Sequence, residues 1–203
     1  MLLEINAETP EPRKLQRAVD VLTEGGVIAY PTDTCYGLGC DLFNKKAIDR
    51  LYQMKGMDRD HMLSFVCQNL GEVAKYAVMH DRVYRILKDF LPGPYCFILE
   101  ATREVPRIVQ SPRKTVGVRI PRHPVALGLT ATLGHPIISS TAARPGADPD
   151  PDPREIELAF PGLGLVLDAG GGGTVPTTVV DLTGRDPVIV RRGAGDPEPF
   201  ERD

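Results

Sequence analysis

Ala29-Tyr30-Pro31-Thr32-Asp33-Thr34-Cys35-Tyr36-Gly37-Leu38-Gly39 brings small hydroxyls, one carboxylate, a tyrosine and two glycines together directly after an apolar run, Val27-Ile28-Ala29-Tyr30. The run is too apolar for a surface and reads as a buried strand. Gly37 and Gly39 let a backbone turn tightly, or let a ligand approach where a Cβ would stand in the way. Two readings of the stretch stay open on local grounds. One is a ligand-binding loop at a strand exit, the other an ordinary turn, since Thr and Asp also cap helices and shape turns.

Working outward, Leu15, Ala18, Val19 and Leu22 recur at helical spacing and Gly25-Gly26 stops them, which predicts an amphipathic helix before the strand. Beyond the motif, Asn44 is a candidate cap for a helix whose Ile48, Leu51 and Tyr52 share one face. Lys55 falls on that face at the last turn, before Gly56, which places a basic head at a helix end beside the core. Strands are expected at 63–67, 95–99, 116–121, 136–140, 164–167, 177–182 and 187–191, with helices around Val83–Phe90 and 124–133. The segment 144–154, with four prolines and three aspartates, reads as an acidic loop without helix or sheet. Gly170-Gly171-Gly172-Gly173-Thr174 lacks the Gly-Lys-Ser/Thr ending of a phosphate-binding Walker loop and reads as a flexible hairpin connection. The alternation of helices and strands gives an α/β (α+β) domain on a mixed sheet.

Arg119 sits in apolar company, Val116-Gly117-Val118-Arg119-Ile120, and needs an anionic partner. That partner is either an Asp or Glu elsewhere in the fold or a bound phosphate or carboxylate. The whole chain of 203 residues has a formal net charge of −3, yet residues 45–122 carry 15 Lys+Arg against 8 Asp+Glu. Such a basic block suits phosphate, as nucleotide or nucleic acid, while the overall acidity argues against a tight nonspecific duplex binder. Cys35, Cys40, Cys67 and Cys96 form no Cys-x-x-Cys pair and the four histidines are scattered, so no metal site is expected and the thiols read as reduced and partly buried. No apolar run approaches the roughly 20 residues needed to span a bilayer, and the N-terminus lacks a basic segment followed by an apolar one. A cytoplasmic location is therefore expected, with no membrane partner.

Seven motifs follow one another in order: 31–39, Lys55 after an apolar helix, Leu91-Pro92-Gly93-Pro94, Val118-Arg119-Ile120-Pro121, Ser139-Ser140-Thr141-Ala142, Pro176-Thr177-Thr178-Val179-Val180-Asp181 and Val190-Arg191-Arg192-Gly193. In order and spacing the chain resembles the YrdC-like family from about residue 10 to 200. Lys55-Gly-Met-Asp-Arg-Asp-His61 and Arg113-Lys-Thr-Val-Gly-Val-Arg119 resemble its YciO group. The resemblance implies one YrdC/RibB-like domain over residues 1–203, a twisted mixed β-sheet flanked by helices, with a concave basic surface for nucleotide and for RNA. It also implies the activity of the threonylcarbamoyl-AMP synthases, which condense L-threonine, bicarbonate and ATP into threonylcarbamoyl-AMP and pyrophosphate for the t6A modification of tRNA.

That reaction needs small hydroxyl donors and cations more than a strong base. The resemblance assigns Thr32, Thr34, Tyr36 and Arg119 to substrate binding, Lys55 and Arg59 to catalysis at the phosphates, and Ser139, Ser140, Thr141 and Arg191 to the nucleotide. Magnesium enters with ATP as part of the substrate complex, and no tightly bound cofactor is expected. Two positions depart from the synthases. Their Lys-x-Arg pair has Met57 in place of the arginine, and their Ser-x-Asn is Thr141-Ala142-Ala143 here. Arg59, or less directly Arg144, is the expected compensator. The alternative is a nucleotide- or double-stranded-RNA-binding protein of the YciO type without synthase turnover. Lys55 and Arg119 are expected to face one cavity within reach of Thr32 and Thr34.

Overall fold

A ten-stranded mixed sheet organises the computed structural model, which describes residues 1–58 and 61–201. In chain order the elements are β1 (Leu2–Glu4), α1 (Pro12–Thr23), β2 (Ile28–Tyr30), β3 (Gly37–Asp41), α2 (Lys45–Lys55), β4 (Ser64–Val66), α3 (Leu70–Tyr76), α4 (Asp81–Phe90) and β5 (Tyr95–Glu100). They continue as β6 (Thr115–Arg119), α5 (Pro124–Leu133), β7 (Ile137–Thr141), α6 (Pro153–Ala159), β8 (Leu165–Asp168), β9 (Thr178–Asp181) and β10 (Val188–Arg191), ending in a short 3-10 turn at Glu198–Phe200. The strands run β1-β8-β2-β3-β7-β4-β6-β5-β9-β10 across the sheet, with parallel pairing at β1/β8, β8/β2, β4/β6 and β5/β9 and antiparallel pairing elsewhere.

The period-2 alternation of the strands builds two different faces. Leu38, Phe65, Phe97, Val118, Ile138 and Val180 point into one large core, which α2, α3, α4 and α6 cover with Ile48, Leu51, Val73, Leu87 and Ile156. On the other face, α1 and α5 pack Leu15, Val19, Leu22, Val125 and Leu129 against Ile28, Tyr30, Ile137 and Leu165. These two helices cover only the part of the sheet around β8, β2, β3 and β7. The same face of β4, β6, β5 and β9 carries Ser64, Gly117, Arg119, Cys96, Ile98 and Val179, and these residues line an open cavity instead of a helix.

The structure bears out the first two helices. The Asn44 side chain accepts from Ala47 N at 3.1 Å to start α2, and Gly56 ends it with φ +64°, a conformation in which a Cβ is costly. It corrects three other expectations. Gly37 and Gly39 are not a loop exit but lie in β3, a fully buried strand in the interior of the sheet. Their role is packing: a Cβ on Gly37 would stand 3.1 Å from Tyr30 Cε1, and one on Gly39 2.8 Å from the same atom. The acidic segment ends earlier than expected, because Asp152 caps α6 through Arg154 N at 2.8 Å and Pro153 occupies its first turn. β1 and α3 are additions, too short to show a period in the sequence.

The glycine run after β8 is not a hairpin. β8 pairs with β1 and β2 near one edge, while β9 pairs with β5 and β10 near the other, so residues 169–177 cross the sheet. They pass directly over the motif loop. A Cβ on Gly172 would come 2.7 Å from the Tyr36 ring, and one on Gly173 2.1 Å from Thr34 O. Gly173→Ala is therefore expected to lower stability by about 1–3 kcal/mol through overpacking against backbone. Gly171→Ala, whose nearest neighbour lies at 4.0 Å, should leave the melting temperature close to that of the parent. Thermal unfolding of the two variants checks this.

Candidate functional site

The uncovered half of the sheet is floored by small side chains because its strands place them in one cross-strand row. Gly39 pairs with Ser139, Ser139 with Ser64, Ser64 with Gly117 and Gly117 with Ile98. Paired residues share a face, so the row forms a shallow trough, and a Cβ on Gly117 would already press to 3.2 Å on Cys96 Sγ. The trough holds a cavity of about 210 Å³ with Arg119, Arg191, Ser139, Ser140 and Thr141 in its wall. A second cavity of about 330 Å³ adjoins it, sharing Met62 and Ile98 and adding Ser111, Arg113, Thr115 and Asp181.

Arg119 is the best-held side chain of the site. Its Nη2 donates to Asp33 Oδ1 at 2.6 Å, to Thr34 Oγ1 at 2.7 Å and to Thr32 Oγ1 at 2.9 Å. The ion pair is largely buried, with 12% of the Arg119 side chain and 11% of the Asp33 side chain exposed. The anionic partner required by the sequence is thus Asp33, the carboxylate inside the motif. Yet Arg119 Nε is buried with no acceptor among the described residues, a donor left over on the guanidinium that lines the cavity. Buried donors of this kind are costly, so the site favours an added oxygen acceptor.

The remaining expected residues divide into two groups. Ser139 Oγ accepts from Tyr30 OH at 2.8 Å and donates to Leu38 O at 3.1 Å, while Ser140, Thr141 and Arg191 line the cavity with it. Arg191 is braced by Thr177, donating to its carbonyl at 2.9 and 3.0 Å. Thr32 and Thr34 stand beside the cavity rather than in its wall, their hydroxyls committed to Arg119 and, for Thr32, to Cys35 O at 2.6 Å. Tyr36 is among the residues at the cavity, but its hydroxyl donates to Gly170 O at 2.8 Å and accepts from Ala169 N at 3.2 Å, clasping the crossing segment. Burial pushes that phenol up to about 12. All four cysteines are free and buried; burial raises the Cys35 thiol and pushes Cys96, in the cavity wall, up to about 11, which disfavours thiolate. Among the described residues no group of three or more His, Cys, Asp or Glu is arranged to hold a metal ion, and no helix is long and apolar enough to cross a membrane.

The motif order that suggested a family in the sequence is matched by comparison with known proteins. A family model described as "Telomere recombination", covering the Sua5, YciO and YrdC proteins, matches residues 20–193. The chain belongs to the Sua5/YciO/YrdC family. It is 39% identical to the uncharacterized protein YciO of Escherichia coli over 97% of both chains, and the crystal structure of that protein superposes with a TM-score of 0.95 over 99% of both chains at 37% identity. It is 32% identical to the threonylcarbamoyl-AMP synthase of Hydrogenovibrio crunogenus over 75% of this chain and 84% of that one. The crystal structure of Pyrococcus abyssi Sua5 complexed with L-threonine superposes with a TM-score of 0.89 at 29% identity, covering 95% of this chain and 57% of that one.

The segments that carry Met57 and Ala143 in this Sua5/YciO/YrdC chain meet through Lys55, two residues before Met57. Met57 packs against the large core, and the Lys55 ammonium donates to Thr141 O at 2.6 Å and to Ala143 O. The expectation that Lys55 and Arg119 share the cavity is corrected accordingly. α2 packs on the opposite face of the sheet, and Lys55 reaches round the end of β7 to two carbonyls instead of joining the cavity wall. Arg144 is engaged elsewhere, donating to Ala159 O at 2.8 Å with its guanidinium 5.6 Å from the Phe160 ring. Arg59 lies outside the described residues. Sequence reasoning missed Asp33, although the lone Arg119 called for a carboxylate and Asp33 stood inside the quoted motif. It also missed Ser64 and Thr177, which only strand pairing brings to the cavity.

Desolvation lowers the Lys55 amine from 10.5 to about 8. Between these values the unfolded chain holds a proton that the folded chain does not, so Lys55 makes stability rise with pH from about 8 to about 10.5. Lys55→Met is expected to flatten that rise and, at pH 7, to lower stability by about 1–3 kcal/mol by removing the Lys55 donor from the Ala143 and Thr141 carbonyls, of which Thr141 O keeps the bond from Ala143 N. Urea unfolding of both proteins at pH 7, 8.5 and 10 measures the difference.

Proposed function

We propose that this chain binds L-threonine and ATP in the trough and, with bicarbonate, forms threonylcarbamoyl-AMP and pyrophosphate, the activated donor for t6A in tRNA, a cytoplasmic task. The single observation that carries the reading is the Arg119 guanidinium. It is held from behind by Thr32, Asp33 and Thr34, keeps a buried donor unsatisfied, and lies on the floor of a cavity walled by Ser139, Ser140 and Thr141. The homology to threonylcarbamoyl-AMP synthases and the likeness to a Sua5 complexed with L-threonine support it.

In this reading Arg119 takes the threonine carboxylate, and the hydroxyls of Ser140 and Thr141 donate to phosphate oxygens, while Ser139, whose proton goes to Leu38 O, shapes the wall. A guanidinium suits the first task because it offers several donors in a fixed plane. The threonine amine and bicarbonate form the carbamate, an N–C bond replacing a C–O bond of bicarbonate with release of water, and this carbamate supplies the nucleophile. One of its oxygens bonds to the α-phosphorus of ATP as the bond from that phosphorus to the pyrophosphate oxygen breaks. The protein contributes positioning and charge rather than a base. Arg191, in the cavity wall, is a described cation for the phosphates, with Arg59 as a further one, while Lys55 stays on its two carbonyls outside the wall; magnesium arrives bound to the triphosphate.

A second reading, a nucleotide- or double-stranded-RNA-binding protein without turnover, is favoured by the Lys55 ammonium being occupied by two carbonyls beside Ala143, which has no amide to offer. Pyrophosphate release from ATP, bicarbonate and magnesium, with and without L-threonine, separates the two. Synthase activity predicts threonine-dependent release that falls roughly tenfold to more than a hundredfold in Arg119→Ala, the loss of one charge-assisted contact of about 1.5–3 kcal/mol. Folded protein that releases none but shifts double-stranded RNA in a salt-dependent way selects the second reading.

A further inference from the structure

Asp33 is not among the residues lining the cavity, yet it contacts the one side chain on which the proposed carboxylate subsite depends. Both of its oxygens are engaged. Oδ1 accepts from Arg119 Nη2 at 2.6 Å, and Oδ2 accepts from the main-chain N of Arg122 at 3.0 Å. The carboxylate is thereby fixed in plane between β6 and the turn that leads into α5. Thr32 cannot do the same work alone, because its hydroxyl is a neutral acceptor already donating to Cys35 O.

Resting on the threonine reading, we propose that Asp33 is a positioning residue: it clamps the Arg119 guanidinium by its Nη2 edge, balances its charge, and so keeps the remaining N–H groups in place for a ligand carboxylate. A guanidinium on a side chain only 12% exposed would without Asp33 leave an unbalanced charge in a partly desolvated trough, or swing to find water. The clamp removes that alternative before any ligand arrives. Preorganisation of this kind raises affinity by lowering the ordering required on binding.

The test compares the parent protein with Asp33→Ala, Asp33→Asn and Arg122→Ala in three measurements. These are thermal unfolding, the rotation rate about the Nε–Cζ bond of Arg119 by NMR of 15N-arginine-labelled protein, and the Kd for L-threonine by calorimetry. The Arg119 signal is assigned by its loss in Arg119→Lys. Restricted rotation is expected in the parent, freed in Asp33→Ala together with a Kd at least tenfold weaker. Asp33→Asn, which keeps an oxygen for Nη2 without the charge, should fall between. Arg122→Ala deletes the guanidinium that donates to Pro92 O and should change the melting temperature alone. A purely structural Asp33 would lower the melting temperature while leaving rotation and Kd at parent values, and that result overturns the proposal. Where Asp33→Ala does not fold, the isosteric Asn variant decides by the same criterion. Should the parent protein bind no threonine, the functional reading fails and the rotation rates still judge the clamp.

Discussion

A single nitrogen, Arg119 Nη2, joins parts of the chain more than 80 residues apart through three oxygens of Thr32, Asp33 and Thr34. In the sheet, β3, β7 and β4 lie between β2, which ends where this loop begins, and β6, which ends at Arg119. The contact therefore ties the loop after β2 to the end of β6 across these three strands. An ion pair this buried is costly to desolvate and is kept in place by the extra hydroxyls and by the Arg122 main chain. It ties the position of the cavity's Arg119 cation to the course of the motif loop.

The trough exists because a row of small residues replaces a helix-packing face. Over β2, β8 and one end of β7 the same face carries Ile28, Leu165 and Ile137, and α1 and α5 close over them. Across β4, β6 and β5 it carries Ser64, Gly117 and Cys96, which offer a helix little apolar area to bury, so the surface stays open. The segment 169–177 then crosses from β8 to β9 over the motif loop, and its glycines are needed because Thr34 and Tyr36 leave no room for a Cβ. One composition, rich in glycine, serine and threonine, thus makes both the floor and the close crossing at its edge.

Much of this was legible in the sequence where the controlling forces are local. The helical spacing of Leu15, Ala18, Val19 and Leu22 buries that stripe in α1, and Asn44 and Gly56 bound α2 by capping chemistry alone. The motif stays open between a ligand-binding loop and an ordinary turn on local grounds, and the apolar surroundings of Arg119 call for an anion. Misreadings fell where a residue answers to a distant neighbour. Gly37 and Gly39 looked like turn residues because their glycine character answers to the Tyr30 ring, and the glycine run looked like a hairpin because nothing local says which strands it joins.

By itself, then, the sequence determined the mixed α/β class, the caps and apolar stripes of the principal helices, and the need of Arg119 for an anionic partner. Those follow from periodicity, capping and charge, which act over a few residues. Only the tertiary structure decided that Asp33 is the partner of Arg119, that Lys55 turns to the carbonyls of Thr141 and Ala143, and that the cavity lies on the half of the sheet α1 and α5 leave bare. Strand order and helix coverage place each of these side chains. Both are settled by packing between segments far apart in the chain, where local preference carries no information.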